Sequence, residues 1–557
     1  MATAPVTPES GRRTPSAPRC PALVALVAVL AFCVLLLAQA GPPPWIADRG
    51  DGTYRNPVLY ADYSDPDAIR VGNDFYMIAS SFTAVPGIPI LHSRDLVNWS
   101  LVGHALPRLI PEDAFAAPQH GGGVWAPSLR YHAGRFWIYF PDPDRGIYVT
   151  TAADPKGPWS SPVLVKAGKG LIDPCPFWDD DGRLYLVHAW ARSRAGFANV
   201  LTLLELDPAG SRALGPGRIV IDGNSLAGYS TLEGPKLYRR NGWYYIFAPA
   251  GGVKQGWQSV FRSRRITGPY EGRIVLAQGR SDVNGPHQGA LVDTADGASW
   301  FLHFQDLDAY GRVVHLQPVN WGDDWPVIGR DNEGDGTGEP VREFRKPGVS
   351  GDVAVEVPAT SDEFDVPDLG LQWQWQANPQ PAWSSLERPR GRLRLGAVPI
   401  ASPNLWLAPN LLLQKLPAPE FTATTEMEFD PAAEGERAGL IVFGADYAWV
   451  GVRNTKDGIK MVSALARDAA SGAAESEVRA IPVSQNRLCL RAAFEQGAIV
   501  QFAYSLDGRT FGDIGEKFTA RPGRWVGAKV GLFAAGVAGT RSRGAATFNW
   551  FRIAGLD

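Results

Sequence analysis

Three acidic residues head repeated segments of this chain, and acids placed in this way can share proton-transfer chemistry. Asp65 lies in "SDPD", Asp173 in "IDPCPF" and Glu233 in "LEGP", each at the start of a short apolar run. If these runs are equivalent strands of one fold, the three carboxyl groups converge on one pocket. One carboxylic acid can then protonate a leaving oxygen while a carboxylate activates water, as hydrolysis of a glycosidic bond requires. A third carboxylate can raise the pKa of the acid by like-charge repulsion.

The segments behind these acids repeat one design, which predicts a β-propeller. Each has a Pro near its start, a short apolar strand, a polar turn and an aromatic strand. Four copies and a looser fifth, spaced by 61, 47, 61 and 54 residues, align at Pro66, Pro127, Pro174, Pro235 and Gly289. This spacing suits four strands per blade, with the head of each repeat facing the central axis. We therefore predict an all-β chain that begins with a five-bladed propeller.

The rest of the chain divides into a leader, a linker and a second domain. We predict a signal peptide at 1–40, the propeller at 54–346, a linker at 347–360 and a β-sandwich domain at 361–557. The last region alternates apolar and polar residues in "FTATTEMEFD" and "YAWVGVRN", which is typical of an antiparallel sandwich. The insertion 107–123, just before the second repeat, predicts a loop near the pocket mouth.

The N-terminal segment has the pattern of an export signal. Arg12, Arg13 and Arg19 precede the apolar run "ALVALVAVLAFCVLLLA", which ends in the small-residue site "AQA". A retained membrane anchor is the competing interpretation, because the run is nearly long enough to span a bilayer. We favour cleavage, since "GPPP" follows directly. The expected protein is secreted or periplasmic, with no membrane association after cleavage.

The net charge and the positions of the cysteines limit which partners and cofactors are expected. The net charge is −3 and no basic stripe is visible, so no nucleic acid partner is expected. Cys20 and Cys33 would leave with the signal, and Cys175 and Cys489 lie in different predicted domains, which gives no disulfide framework or zinc spacing. The run "DDDG" at 179–182 falls at a predicted hairpin turn. We predict no required cofactor and no metal in the pocket, and a structural calcium ion stays open.

Several motifs in combination resemble the family 43 glycoside hydrolases, in their β-xylosidase and α-L-arabinofuranosidase branch. They are "SDPDAIRVGNDFYMIASSF", "GVWAPSLRY", "IDPCPFWDDDGRLYL", "TLEGPKLY" and "GPHQGALV". The resemblance covers nearly the whole mature chain, and the later region resembles the concanavalin-A-like, jelly-roll domain of those β-xylosidases. It implies a five-bladed catalytic domain and an inverting mechanism, with a C-terminal domain that can close one side of the active-site mouth.

The resemblance implies a role for each acid. Asp65 matches the family's general base, and Glu233 matches the general acid. Asp173 matches the carboxylate that tunes the pKa of the acid and orients the sugar. The structural alternatives are that Asp65 and Asp173, which precede Pro, only form turns, and that Glu233 is a solvated loop residue.

The resemblance also implies residues that bind the substrate. His287 in "GPHQG" and Arg312 in "YGRVVHL" match residues that line the sugar pocket. Phe82 and Trp125 match aromatic walls of the subsite for the non-reducing end. His287 and Trp125 could instead be core residues, and Arg312 a surface cation. After Phe82, "TAVPG" replaces a more aromatic segment typical of the xylosidases, which leaves the sugar preference open.

The resulting prediction is a secreted, exo-acting, inverting glycoside hydrolase. It would release pentose as a β-1,4-xylosidase from the non-reducing end of xylo-oligosaccharides, and its partners would be xylan- or arabinan-derived oligosaccharides. An α-L-arabinofuranosidase of the same fold is the first alternative. A non-catalytic sugar-binding propeller is the second, although all three carboxylates are present. The later domain shows no clear aromatic platform, so a packing role is favoured over polysaccharide binding.

Overall fold

Five four-stranded antiparallel sheets follow one another along the first part of the chain. The computed structural model describes residues 1–5, 41–387, 391–402, 404–539 and 543–556. In each of the five sheets, consecutive strands pair in chain order. The first strands of neighbouring blades contact one another around most of the ring, so the heads of the repeats meet at its centre. The sheets are the blades of a propeller.

Each blade consists of four strands that are consecutive in the chain. Blades 1 and 2 are formed by Asp67–Val71, Asp74–Ile78, Gly87–Ser93 and Trp99–Leu106, and by Ser128–His132, Arg135–Asp142, Gly146–Ala152 and Val163–Ala167. Blade 3 is formed by Leu171–Trp178, Leu184–Trp190, Val200–Leu206 and Arg218–Asp222. Blades 4 and 5 are formed by Lys236–Arg240, Trp243–Ala250, Trp257–Ser263 and Glu271–Leu276, and by His287–Asp293, Ser299–Asp306, Arg312–Gly322 and Trp325–Ile328.

Segments that flank the blades pair with each other and close the propeller. Thr53–Arg55, before blade 1, pairs antiparallel with Glu343–Arg345, after blade 5. Leu59 and Val314 also exchange backbone hydrogen bonds of 3.3 and 3.1 Å. The segment that leads into blade 1 is thereby fixed against blade 5.

Two eight-stranded sheets form the second region. One contains Gln374–Trp375, Val398–Ile400, Leu412–Lys415, Arg437–Phe443, Tyr447–Thr455, Gly458–Ala466, Ser476–Pro482 and Lys529–Val537. The other contains Ser384–Glu387, Arg392–Gly396, Phe421–Asp430, Arg487–Glu495, Ile499–Ser505, Gly512–Asp513, Phe518–Thr519 and Ala545–Ala554. Phe421–Asp430 alternates buried and half-buried residues, as a strand with one face toward a core does. The prediction of a five-bladed propeller followed by a β-sandwich is confirmed.

The propeller and the sandwich share an apolar core. Val85 in blade 1 and Trp375 in the sandwich exchange backbone hydrogen bonds of 3.0 and 2.6 Å. Buried side chains from both regions, including Phe115 and Tyr310 from the propeller and Trp373 from the sandwich, belong to one continuous cluster. Residues 347–360 cross between the two regions without helix or strand.

Helices are few and short in the described residues. They are the α-helix Arg192–Ala195 and the 3₁₀ helices Gly223–Ser225, Asp308–Tyr310 and Ala469–Ser471. In the part of the chain that the structure describes, no helix is long and apolar enough to cross a membrane. The predicted signal peptide falls almost entirely on residues 6–40, which lie outside the described residues.

Candidate active site

A cavity of about 300 Å³ lies where the first strands of the blades meet. It brings together Asp65 from the segment before blade 1, Asp173 from blade 3 and Glu233 from the segment before blade 4. The remaining lining residues are Phe82, Trp125, Ala126, Ile172, Thr231, Gly252, Val253, Gln288, Arg312 and Trp525. The three acids that the repeat register places at one pocket therefore do line one cavity.

The backbone turns two of the acids toward this cavity through an uncommon conformation. Asp65 and Asp173 both have φ of 56°, in the left-handed region that Asp and Asn tolerate better than other residues with a side chain. The pairing of blade 3 also shifts register between Ile172 and Cys175, as in a β-bulge. Bulges re-aim side chains and are frequent beside active sites. The local conformation therefore directs both carboxyl groups away from the sheet ladders.

The Asp65 carboxylate is held by three donors. Arg312 Nη1 donates to Oδ1 over 3.0 Å, and the hydroxyl groups of Ser80 and Ser64 donate to Oδ2 over 2.5 and 3.0 Å. Arg312 Nη1 also donates to the Ser64 hydroxyl over 2.7 Å, which links the donors to one another. These contacts fix the orientation of the carboxylate and stabilise its negative charge.

Glu233 has the environment of a carboxylic acid that keeps its proton near neutral pH. Its side chain is 21% exposed, and its Oε1 lies 3.1 Å from Nε2 of the fully buried His287. Burial, followed by the charge of Asp65, raises the pKa of Glu233 to about 7, while Arg312 opposes the rise. Burial also lowers the pKa of His287 to about 3, so the imidazole is neutral at neutral pH. Glu233 can therefore donate a proton at neutral pH.

Asp173 is joined to the Glu233 segment through the backbone. The Gly234 N–H donates to Asp173 Oδ2 over 2.7 Å. Gly234 has φ of 59°, and a Cβ on it would come within 2.8 Å of the Gln288 side chain, so glycine is required there. Burial, followed by the charge of Glu233, raises the pKa of Asp173 well above its usual value. The two acids therefore titrate as an interacting pair.

Aromatic rings form one side of the cavity. The rings of Phe82 and Trp125 are 6.2 Å apart, and the Phe82 backbone exchanges hydrogen bonds of 2.8 and 3.1 Å with Val124. Trp525, from the sandwich, packs edge-on against Trp125 with ring centroids 6.0 Å apart, and it is 45% exposed. The sandwich therefore supplies a wall of the cavity as well as packing against the propeller.

His287 differs from the prediction that it lines the sugar pocket. Its side chain is fully buried and sits behind Glu233, so it contacts the acid and not the cavity. Its Nδ1 has no hydrogen-bond partner among the described residues, which agrees with a neutral ring whose proton is on Nε2. With that tautomer, Nε2–H donates to Glu233.

Sequence reasoning missed four residues that contribute to the site. Ser64 and Ser80 hold the Asp65 carboxylate, while Gln288 and Trp525 line the cavity. Ser64 directly precedes Asp65 and Gln288 directly follows His287, so their positions in the sequence could have indicated that both belong to the site. Ser80 and Trp525 reach the site only through the pairing of strands and the packing of the two domains.

The acidic run at 179–182 forms the turn between the first two strands of blade 3. Asp179 accepts hydrogen bonds from the Tyr244 hydroxyl over 3.0 and 2.8 Å. Among the described residues, no group of three or more His, Cys, Asp or Glu side chains is arranged to hold a metal ion. The turn expected at this run is present, and a structural calcium ion stays a prediction.

A propeller whose central cavity gathers three carboxyl groups, one with its pKa raised to about 7, has the architecture and chemistry of a glycoside hydrolase. The profile of Glycosyl hydrolases family 43 matches residues 54–326, and that of the β-xylosidase C-terminal concanavalin A-like domain matches residues 361–554. The chain belongs to glycoside hydrolase family 43, and the predicted family and enzyme class are confirmed.

Known relatives are similar over most of this chain. A β-xylosidase of Formosa agariphila is 34% identical over 548 residues, which cover 89% of this chain and 90% of that protein. A non-reducing end α-L-arabinofuranosidase of Bacteroides ovatus is 30% identical over 553 residues, which cover 94% and 99%. The crystal structure of a xylan β-1,4-xylosidase from Bacillus halodurans C-125 is 27% identical, with a TM-score of 0.78 and coverage of 90% and 99%.

Proposed function

We propose that this enzyme is an exo-acting β-1,4-xylosidase that releases xylose from the non-reducing end of xylo-oligosaccharides. The observation that carries the proposal is the central cavity that gathers three carboxyl groups and is walled by Phe82, Trp125 and Trp525. Its volume of about 300 Å³ is at the lower end of ligand sites, which span roughly 300–1,000 Å³. A cavity of this size suits one terminal sugar, with the rest of the chain outside.

The proposed reaction is a single displacement by water. Asp65, held by Arg312, takes a proton from a water molecule while the water oxygen attacks the anomeric carbon. The bond from that carbon to the glycosidic oxygen breaks as Glu233 gives its proton to this oxygen. The products are one pentose and an oligosaccharide shorter by one unit. Return of a proton from Asp65 to Glu233 through solvent restores the starting state.

The first-formed sugar is expected to have inverted anomeric configuration. Water that is activated by Asp65 attacks from the face opposite the leaving oxygen, so one displacement inverts the carbon. Proton NMR of the reaction in its first minutes distinguishes the two anomers before mutarotation mixes them. A retained first anomer would require a covalent intermediate and would contradict the role of Asp65 as a base.

Arabinofuranosidase activity is the second candidate. Two observations favour it: the relative from Bacteroides ovatus has that name, and "TAVPG" follows Phe82 where a more aromatic segment is typical of the xylosidases. Paired assays with nitrophenyl β-xyloside and nitrophenyl α-arabinofuranoside test the choice under identical conditions. A higher kcat/KM on the xyloside supports the proposal. A higher value on the arabinofuranoside overturns it in favour of the second candidate.

Replacing Asp173 by Asn is expected to move the alkaline limb of the kcat/KM profile to lower pH. This limb reports the loss of the Glu233 proton, near pH 7 in the native enzyme. The charge of Glu233 raises the pKa of Asp173, and because repulsion between two carboxylates is mutual, an ionised Asp173 would make Glu233 hold its proton to higher pH. A neutral Asn removes that repulsion, so the proton is lost at lower pH.

The matched control for this change is Asp180→Asn. Asp180 is in the same blade, its side chain is 84% exposed, and its ion pair with Arg239 lies at the surface. Its replacement should leave the profile in place. If Asp173→Asn also changes neither the limb nor the rate, Asp173 only forms a turn and the site has two functional acids.

We propose that catalysis needs no cofactor. In the proposed reaction, Asp65, Glu233 and water account for every proton that is transferred. Activity is therefore expected to survive treatment with EDTA and removal of the chelator. Loss of activity that calcium restores would contradict this expectation and would indicate a structural ion.

We also propose that the protein is exported through the segment 1–40. The support is the sequence pattern of basic residues, an apolar run and a small-residue site. N-terminal sequencing of the protein from a producing cell tests this directly. A mature chain that starts near residue 41 supports export with cleavage, whereas a chain that keeps the apolar run supports an anchor.

A further inference from the structure

One buried carboxylate, that of Asp62, joins the propeller side of the active site to the sandwich. Asp62 is 5% exposed and stands three residues before Asp65. Its Oδ1 accepts the backbone N–H of Arg312 over 2.9 Å, and its Oδ2 accepts the backbone N–H of Gly527, also over 2.9 Å. The two donors are separated from it by 250 and 465 positions in the chain.

Both donors belong to segments that carry walls of the cavity. The Arg312 guanidinium donates to Asp65, so Asp62 and Asp65 hold the backbone and the side chain of the same arginine. Gly527 stands two residues after Trp525, the wall that the sandwich contributes. A shift of either donor would therefore move a group that faces the substrate.

Residues 309–312 of blade 5 and residues 523–529 of the sandwich meet at Asp62, and we call this contact the seam. It is tightly packed. A Cβ on Gly311 would approach Asp62 to 2.5 Å, and a Cβ on Gly527 would approach the backbone nitrogen of Gly311 to 2.7 Å. The Ala528 N–H also donates to the Ala309 carbonyl over 2.7 Å. The Trp525 loop, residues 523–529, is therefore docked backbone to backbone on blade 5.

Charge favours a carboxylate at this position. Lys529 is buried and Lys415 is half-buried nearby, and desolvation lowers the pKa of both, for Lys529 to about 7. Asp62 raises the pKa of each lysine and so opposes the effect of burial. Asp62 thus accepts two backbone hydrogen bonds and also supplies a negative charge beside the two lysines.

We propose that Asp62 is a positioning residue of the active site. Its carboxylate fixes the backbone of Arg312 relative to the Trp525 loop. It thereby couples the sandwich to Arg312, which holds the base Asp65. It does not touch the cavity, so its effect is transmitted through Arg312 and Trp525. This inference rests on the proposed function only for its kinetic readout.

The first test is Asp62→Asn, followed by hydrogen exchange. Asn has the same shape, but it has one acceptor oxygen, so it cannot accept both N–H groups. The backbone amides of 523–529 are expected to exchange faster in the variant, the Gly527 N–H above all. The matched control is Asp362→Asn, because Asp362 is also buried and accepts the N–H groups of Phe364 and Gly370 within the sandwich. The control should not change exchange at 523–529.

The second test is a double-mutant cycle on kcat/KM with the preferred nitrophenyl pentoside. Asp62→Asn is expected to lower kcat/KM by about 10- to 100-fold, the effect of displacing positioned groups by about 1 Å. If it acts through the Trp525 loop, the loss in Asp62→Asn with Trp525→Ala is smaller than the product of the single losses. In the control cycle, the loss of kcat/KM in Asp362→Asn with Trp525→Ala should equal the product of the two single losses.

A second variant reaches the seam from the sandwich and leaves every charge in place. Gly527→Ala forces the loop away from Gly311, and it should reproduce the faster exchange and the coupling to Trp525. Its control is Gly512→Ala, where an added Cβ meets nothing within 4 Å. This variant decides the question if Asp62→Asn does not fold.

The outcomes separate this inference from the proposed function. Unchanged exchange at 523–529 in both variants, or losses that multiply in the cycle, would overturn the role of Asp62. Faster exchange in an enzyme that cleaves neither pentoside would leave the seam supported and reject the proposed function.

Discussion

Replacing Asp65 by Asn is expected to lower kcat on every substrate by about 10²- to 10⁴-fold, the range of positioned general bases. An amide cannot take the proton from water, and water must be activated whatever the leaving group is. The loss should therefore be similar for xylobiose and for nitrophenyl xyloside. Steady-state kinetics on the two substrates measures it directly.

The matched control for Asp65→Asn is Asp74→Asn, in the second strand of blade 1. Asp74 pairs with His92 over 2.8 Å at a half-buried position, away from the cavity. Its replacement should leave kcat nearly unchanged, because neither Asp74 nor His92 lines the cavity. Substantial turnover by Asp65→Asn would remove the assignment of the base.

Replacing Glu233 by Gln is expected to affect substrates according to their leaving groups. The glycosidic oxygen of an oligosaccharide needs a proton in order to leave, so kcat on xylobiose should fall by about 10²- to 10⁴-fold. Nitrophenolate leaves without protonation, and the loss on its xyloside should be much smaller. The alkaline limb near pH 7 should also disappear, because it reports this carboxylic acid.

Glu271→Gln is the control for this second change. Glu271 lies in the last strand of blade 4, and its side chain is 58% exposed and paired with Arg262 over 2.7 Å. It should keep both the rates and the limb. Equal losses on the two substrates in Glu233→Gln would mean that Glu233 is not the proton donor.

The sequence predicted the blades and the three acids for a shared physical reason. Strand alternation, turn residues and the Pro near each repeat head are local signals, and the repeat register transfers them from one blade to the next. Asp65, Asp173 and Glu233 stand within two residues of the aligned prolines of their repeats, so their convergence followed from the repeat. The sandwich could be predicted in the same way, because alternation along Phe421–Asp430 is also local.

The remaining parts of the site depend on distances that no local pattern contains. Trp525 reaches the cavity because Gly527 and Ala528 dock on blade 5, a contact between domains. The sequence around a single Trp in a loop does not show whether its side chain faces solvent, a core or a substrate. His287 contacts Glu233 and is not among the residues that line the cavity, and the strand that carries it shifts register between His287 and Gly289, which no local pattern indicates.

The wall that Trp525 contributes also has a consequence for biosynthesis. Asp65 and Trp525 are 460 residues apart, so a growing chain holds all three acids long before it holds the last wall. A chain that ends after the propeller but before Trp525 would carry all three acids without this wall, and would leave uncovered the core that the two regions share. The pocket is therefore complete only after the sandwich has been synthesised and has docked on blade 5.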